Sequence, residues 1–311
     1  MSAKKAVKQA QPRITVVGSL NVDWIASVTR FPKAGETVLS SHLTQRFGGK
    51  GANQAIAATR QGVQVCMIGA LGNDASGQAY RKHLQDEGID DSGIITLNKA
   101  LTGAAMIAVD ERAENTIIVG AGANGQLKAA HIRQHQETFA RSKAVLLQWE
   151  SPMPVVLETL RIAAHCRVPV VMNPSPLHDD FAWGKFPVHT LIVNEGEARA
   201  IFGKRACNKP ESLKVMLGKF ALNRLIITRG ANSTLGIMSE AVIEMPAFPV
   251  TAMDTVGAGD AFAGAYAACL AMRVDFTASV RYANAAGALA TLKVGAQEAI
   301  PNSARVNRLL R

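Results

Sequence analysis

Apolar residues in this chain gather into short β-branched runs, separated by longer stretches of helical period. Ile14-Thr15-Val16-Val17-Gly18 opens the series and predicts a buried central strand that ends in glycine. Residues 24–47 alternate loosely and are broken by Pro32 and Gly35, which predicts short strands rather than a helix. Gly48-Gly49-Lys50-Gly51-Ala52-Asn53-Gln54 opens a helix that continues to Arg60. A strand at 63–70, a turn at Gly72-Asn73-Asp74 and a helix over 76–87 follow. Residues 101–109 and 115–119 read as a hairpin around the polar stretch 110–114. Beyond it the rhythm is regular. Helix 128–140 leads to strand 144–148, and helix 153–166 to strand 168–172. Strand 190–193 ends at Asn194, and helix 211–221 leads to strand 224–228, which Gly230 closes. An apolar, strand-like run precedes Asp254-Thr255-Val256-Gly257-Ala258-Gly259-Asp260, and a helix over 261–268 follows it.

Such alternation predicts an α/β fold: a doubly wound, mostly parallel central sheet flanked by helices, in one domain over 13–311. Two strand-rich excursions, 19–47 and 101–119, fall outside the alternation. They are expected to pair into a small separate β-sheet that serves as a lid over the active-site edge. Residues 1–12 carry Lys4, Lys5 and Lys8 among Ala and Gln and read as a mobile basic tail.

Composition refines this picture. Aromatics are only 5% against 48% hydrophobic residues, so Ala, Val, Ile and Leu must build the core, as suits parallel strands buried on both faces. The net charge is +10, but the basic residues are dispersed and no aromatic–basic interleaving marks a nucleic-acid partner. An anionic small ligand such as a nucleotide fits that charge better. Cys66, Cys166, Cys207 and Cys269 are widely spaced with no C-x-x-C, which predicts a reduced, cytoplasmic setting. No apolar run approaches the ~20 residues needed to cross a bilayer, so no membrane partner is expected.

The segment Asp254–Asp260 carries the sharpest chemistry. Gly257, Ala258 and Gly259 crowd a helix start, where unpaired backbone N–H groups are open to an anion. Asp260 stands in the same turn. A carboxylate binds phosphate poorly but deprotonates a hydroxyl well, so cradle and acid together suit phosphoryl transfer to an alcohol. A glycine-rich helix start with an ordinary first-turn acid is the structural alternative. Asp254 repels a phosphate unless it has another task, such as a cation. Gly48–Asn53 offers exposed amides, the Lys50 ammonium and the two-sided Asn53 amide to a hydroxyl-rich ligand, or else forms a flexible turn. Asn21 and Asp23 follow the first strand at the edge where open sheets bind ligands; they suit a vicinal diol, or a turn. Asn194-Glu195-Gly196-Glu197 offers oxygen ligands for Mg²⁺, partly through water, or a capped helix start.

Gly120-Ala121-Gly122-Ala123-Asn124-Gly125 matches the dinucleotide fingerprint G-x-G-x-x-G, but it does not follow the first strand, so a nicotinamide oxidoreductase is disfavoured. No G-x-x-x-x-G-K-[ST], H-E-x-x-H or G-x-S-x-G is present.

Taken together and in order, Asn21-Val22-Asp23, Gly48–Gln54, Gln148-Trp149-Glu150, Asn194–Glu197, Thr228-Arg229-Gly230 and Asp254–Asp260 resemble the ribokinase family of carbohydrate kinases, from about Arg13 to the C-terminus. The wording of Gly48–Gln54, with Asn21 and Asp23, resembles the ribose-specific members more than fructose or adenosine kinases. The resemblance implies ATP-dependent phosphorylation of D-ribose at the 5-hydroxyl. It implies Asp260 as general base and the amides of Gly257, Ala258 and Gly259 as anion hole. Asn21, Asp23, Gly49, Asn53 and Glu150 would hold the sugar, with Lys50 toward the transferred phosphate. Asn194 and Glu197 would meet phosphates and Mg²⁺. Thr228, Gly230, Gly259 and Asn284 would line the nucleotide pocket, with Arg229 either on a phosphate or in solvent. A K⁺ site would involve Asp254, Val256, Ala290, Lys293 and Gly295; Ala299 stands where a serine often adds a ligand. A homodimer through the lid is implied as well. Another sugar kinase such as a deoxyribokinase, or a non-catalytic sugar sensor on the same fold, remains the alternative.

Overall fold

The structure, a computed structural model, describes residues 11–112 and 114–311. The basic tail lies outside them except for residues 11 and 12. The strands are β1 (Arg13–Val17), β2 (Asn21–Ser27), β3 (His42–Gly48), β4 (Gln64–Gly72), β5 (Asp90–Leu97), β6 (Gly103–Val109) and β7 (Asn115–Gly120). They continue with β8 (Ala144–Gln148), β9 (Val170–Asn173), β10 (Val188–Asn194), β11 (Leu222–Thr228), β12 (Ser233–Met238) and β13 (Val242–Pro246). The helices are α1 (Lys50–Arg60), α2 (Ala75–Asp86), α3 (Ala129–Arg133), α4 (Gln136–Ala140), α5 (Met153–His165) and α6 (Glu195–Phe202). After them come α7 (Lys204–Cys207), α8 (Pro210–Lys219), α9 (Ala258–Ala271), α10 (Phe276–Ala290) and α11 (Ser303–Leu310).

Nine strands form the central sheet in the order β13-β12-β11-β10-β9-β8-β1-β4-β5. From β11 to β5 every pairing is parallel; β12 and β13 are antiparallel at one edge. Alternate strand residues face opposite sides. Ile14, Val16, Val65, Met67 and Leu146 pack under α1, α9 and α10. Val17, Ile68, Val145, Leu147 and Met172 pack on the other side with α5 and α8. The chain extends from β1 to β4 on one side and to β8 on the other. The crevice at the carboxyl ends of β1 and β8 is therefore a switch point of the kind that binds ligands.

The two excursions form a separate four-stranded sheet, order β3-β2-β6-β7, with β2 and β6 parallel and the other pairs antiparallel. Along β7, Ile117, Ile118 and Val119 are all exposed.

Packing of α1 on α9 positions the chemistry. A Cβ at Gly264 would lie 2.5 Å from the Gln54 carbonyl oxygen and 2.9 Å from the Ala58 nitrogen. Only glycine lets the backbones approach this closely.

Three local expectations are corrected. Helix 128–140 is two short helices, α3 and α4, because the His135 N–H turns back to the Ile132 carbonyl (3.0 Å). The segment before Asp254 is not a strand: β13 ends at Pro246 and an irregular stretch reaches Gly257. The structure also adds the edge strands β5 and β13, whose mixed polarity hides their period, and β12 between β13 and β11. The glycine-rich run 120–125 is a 3₁₀ turn, not a dinucleotide loop. Buried Asn124 accepts from Leu20 N (3.0 Å) and donates to Leu20 O (3.0 Å) and Asn21 Oδ1 (2.8 Å), which fixes the entry to β2.

All four cysteines are free, with Cys66 and Cys269 buried. No helix among the described residues is long and apolar enough to cross a membrane.

Candidate active site

The carboxyl ends of β1, β8, β9, β10 and β11 converge with the first turns of α1, α6 and α9. Gly257 adopts a left-handed conformation, φ 76°, and sends the chain into α9. Three residues on, Asp260 is buried at 7% exposure. Its Oδ2 accepts from Asn53 Nδ2 and its Oδ1 from Gln54 Nε2, both at 2.9 Å. Each oxygen keeps a further lone pair. A Cβ added at Gly259 would meet nothing within 4 Å, so one side of the cradle is open. Of the three expected amides, that of Ala258 already donates to Thr255 O, at 3.3 Å.

Two cavities meet at this turn. One, about 230 Å³, is lined by Lys50, Asn194, Glu197, Thr228, Gly257, Gly259 and Asp260. The other, about 320 Å³, is lined by Thr228, Gly230, Phe248, Gly259 and Asn284. They share Thr228, Thr255 and Gly259. In the larger one, Asn284 Oδ1 accepts from Thr234 (2.7 Å), while its buried Nδ2 has no partner. Asn284 lines this cavity, and its buried amide nitrogen is short of one hydrogen bond.

Asn21, Asp23, Gly49 and Glu150 gather around the start of α1. Gly49 has φ +88°, and a Cβ there would lie 2.7 Å from Asn21 N. Glu150 accepts from Ser19 Oγ and from Lys50 N (3.0 Å), so it holds the first turn of the helix. Asp23 sits against Gly48. Its carboxyl is pushed up to about 7, by burial first and then by the nearby charges of Glu150 and Glu298.

Asn194 and Glu197 form a reciprocal capping box: Glu197 N donates to Asn194 Oδ1 (2.8 Å) and Asn194 N to Glu197 Oε2 (2.9 Å). The capped helix start is observed, and both residues also line the smaller cavity. Arg229 lines neither cavity. It donates to Glu244 Oε1 at 3.0 Å, so it neither faces the cradle nor stands free.

Asp254 stitches two turns, accepting from Val256 N (3.0 Å) and Gly295 N (2.9 Å). Ala290 and Ala299 are fully buried close by in sequence, and the Lys293 ammonium donates to the Glu298 carbonyl (3.3 Å). Among the described residues no three His, Cys, Asp or Glu side chains group to hold a metal. A cation beside Asp254 would therefore draw mostly on main-chain and ligand oxygens.

Sequence reasoning gave no role to Gln54, Gln148, Asn173 or Gln297. Gln148 and Asn173 each close an apolar strand with an amide, at the edge facing the site. An amide at the end of a buried run was the available sign.

The family model described as "pfkB family carbohydrate kinase" matches residues 11–303. A ribokinase of Haemophilus influenzae is 34% identical over 293 residues, which cover 93% of this chain and 95% of that one. A deoxyribokinase of Salmonella typhi is 28% identical, over 96% of this chain and 98% of its own. The solved Arabidopsis thaliana ribokinase complexed with ribose and ATP superposes with a TM-score of 0.88, at 25% identity over 97% of this chain and 99% of that one.

Proposed function

The chain belongs to the pfkB family of carbohydrate kinases, and from that premise we propose that it transfers the γ-phosphoryl group of ATP to the 5-hydroxyl of D-ribose, giving ribose 5-phosphate and ADP. The observation that carries the reading is Asp260: a buried carboxylate at the start of α9, oriented by two amides, in the wall of a cavity it shares with Lys50 and Gly257.

A primary alcohol has a pKa far above 7, so Asp260 takes the proton as the new O–P bond forms. Lys50 and the amides around Gly257, Ala258 and Gly259 steady the transferred group, and alignment supplies most of the acceleration. Asn284 and Gly230 receive the nucleoside end in the larger cavity, and Thr228, on both cavities, marks the join. Asn21, Asp23, Gly49, Asn53 and Glu150 receive the sugar hydroxyls. Asn194 and Glu197 would hold Mg²⁺, partly through water, and the ion would supply neutralisation of phosphoryl charge. For K⁺, Asp254 and the carbonyls of Val256, Ala290, Lys293 and Gly295 are the donor set; Ala299 adds no side-chain oxygen. Exposed Ile117, Ile118 and Val119 on β7 support a lid that pairs in a homodimer. The free cysteines support a cytoplasmic protein.

A panel of pentoses and hexoses with ATP, Mg²⁺ and K⁺, scored by ADP release, tests the proposal. Turnover is expected to be fastest with ribose. Preference for 2-deoxyribose would move the assignment to the deoxyribokinase reading, and absence of ADP with every sugar would leave a non-catalytic sensor.

A further inference from the structure

Two chains of side-chain amides end on the Asp260 carboxylate. On one oxygen, Gln148 Nε2 donates to Gln54 Oε1 (2.6 Å), and Gln54 Nε2 donates to Asp260 Oδ1 (2.9 Å). On the other, Gln297 Nε2 donates to Asn53 Oδ1 (3.0 Å), and Asn53 Nδ2 to Asp260 Oδ2 (2.9 Å). Gln54 and Gln148 are fully buried and line neither cavity. They therefore reach the reaction through the carboxylate and, from Gln54, through Asn173, which lines the smaller cavity.

The direction of the first chain is set by its members. Gln54 faces one donor, Gln148 Nε2, and two acceptors, Asp260 Oδ1 and Asn173 Oδ1 (3.1 Å). Asn173 spends its own Nδ2 on the Ile192 carbonyl (3.0 Å), so it shows Gln54 an oxygen. A primary amide has one oxygen and one two-donor nitrogen, so only one orientation of Gln54 satisfies all three neighbours. Turned over, it would set oxygen against two oxygens and nitrogen against nitrogen. Asn173, held by the Ile192 carbonyl, and the Asp260 carboxylate tell the two orientations apart, and Gln148, whose Oε1 has no partner, fills the remaining contact.

We infer that Gln54, keyed by Asn173 and backed by Gln148, is a positioning residue for the proton acceptor: it fixes the Asp260 carboxylate in one orientation and holds it as an acceptor. The inference rests on the reading of Asp260 as general base.

Initial-rate kinetics on Gln54→Met, Gln148→Met, the double variant and Gln54→Glu test it, with thermal unfolding as the check on folding. Gln54→Met keeps length and removes the donor. It is expected to lower kcat about 10- to 100-fold, with the KM values for ribose and ATP unchanged. Gln148→Met should lower kcat less, and the double variant no further than Gln54→Met, because Gln148 acts through Gln54. Gln54→Glu, closer in shape but an acceptor toward Asp260, should be slower than Gln54→Met. Additive losses in the double variant, a loss seen in KM instead of kcat, or wild-type kcat in folded Gln54→Met would overturn the inference. Asp260→Asn separates the two levels. If it keeps full turnover, the base assignment fails. If it is nearly inactive while Gln54→Met turns over normally, only the positioning role fails.

Discussion

Gly264→Ala tests whether the contact between α1 and α9 sets the catalytic geometry. The added methyl would stand 2.5 Å from the Gln54 carbonyl oxygen, where ordinary contact begins at 3.4 Å. The obstacle is main chain, so it cannot rotate away, and the helices must part by roughly 0.9 Å. Overpacking of this kind costs about 1–3 kcal/mol, which for a chain of this size lowers the melting temperature by about 2–5 °C. The same displacement pulls Asp260 from Asn53 and Gln54, whose bonds to it are 2.9 Å now. Misplacement by about 1 Å costs on the order of 100-fold in rate. Steady-state kinetics should therefore show kcat reduced about 10- to 100-fold at a temperature well below the melting point. Gly218→Ala is the internal control: it lies on the exposed face of α8, where a Cβ meets nothing within 4 Å. It should hold or raise stability and leave kcat alone. Wild-type kcat in folded Gly264→Ala would refute the claim that this helix contact places the base.

Asp23 gives a pH test. With its carboxyl pushed up to about 7, it is largely neutral in mildly acidic buffer and loses its power to accept from two sugar hydroxyls. KM for ribose should climb as pH falls through about 7, approaching tenfold per unit, and Asp23→Asn should flatten that slope; a flat profile in the parent enzyme contradicts the assignment. A carboxyl raised in the folded state favours folding below its ordinary range and loses that contribution as pH rises through about 7, so thermal scans of Asp23→Asn should gain most on the alkaline side. Asn284→Leu removes the orphaned donor of the larger cavity and should raise KM for ATP about tenfold with KM for ribose unchanged; the reverse pattern would place the nucleotide elsewhere.

Much of this architecture was legible before the structure, because buried parallel strands write themselves as unbroken apolar runs: Ile14–Val17 and Ala144–Gln148 stand within a residue of their expected limits. Edge strands did not, since β5 and β13 have one neighbour and keep polar residues on their open side. In the site, residue type singled out Asp260 and the glycines beside it, though an ordinary glycine-rich helix start was the alternative, and the structure places them together in a cavity wall. The environment of the acid was not legible. Gln54, Gln148 and Gln297 lie far apart in the chain, and only the fold shows that their amides point the same way. Arg229 shows the converse limit, for its place beside Gly230 left a phosphate contact or solvent open, while in the structure it pairs with Glu244 on β13.

The most direct measurement is single-turnover phosphoryl transfer by Asp260→Asn, with ribose binding followed in parallel by calorimetry. Ribose should still bind, and the transfer rate should fall by about 10²–10⁴, the usual worth of a general base. Transfer within about threefold of the parent rate, far inside that range, would mean that some other group takes the proton.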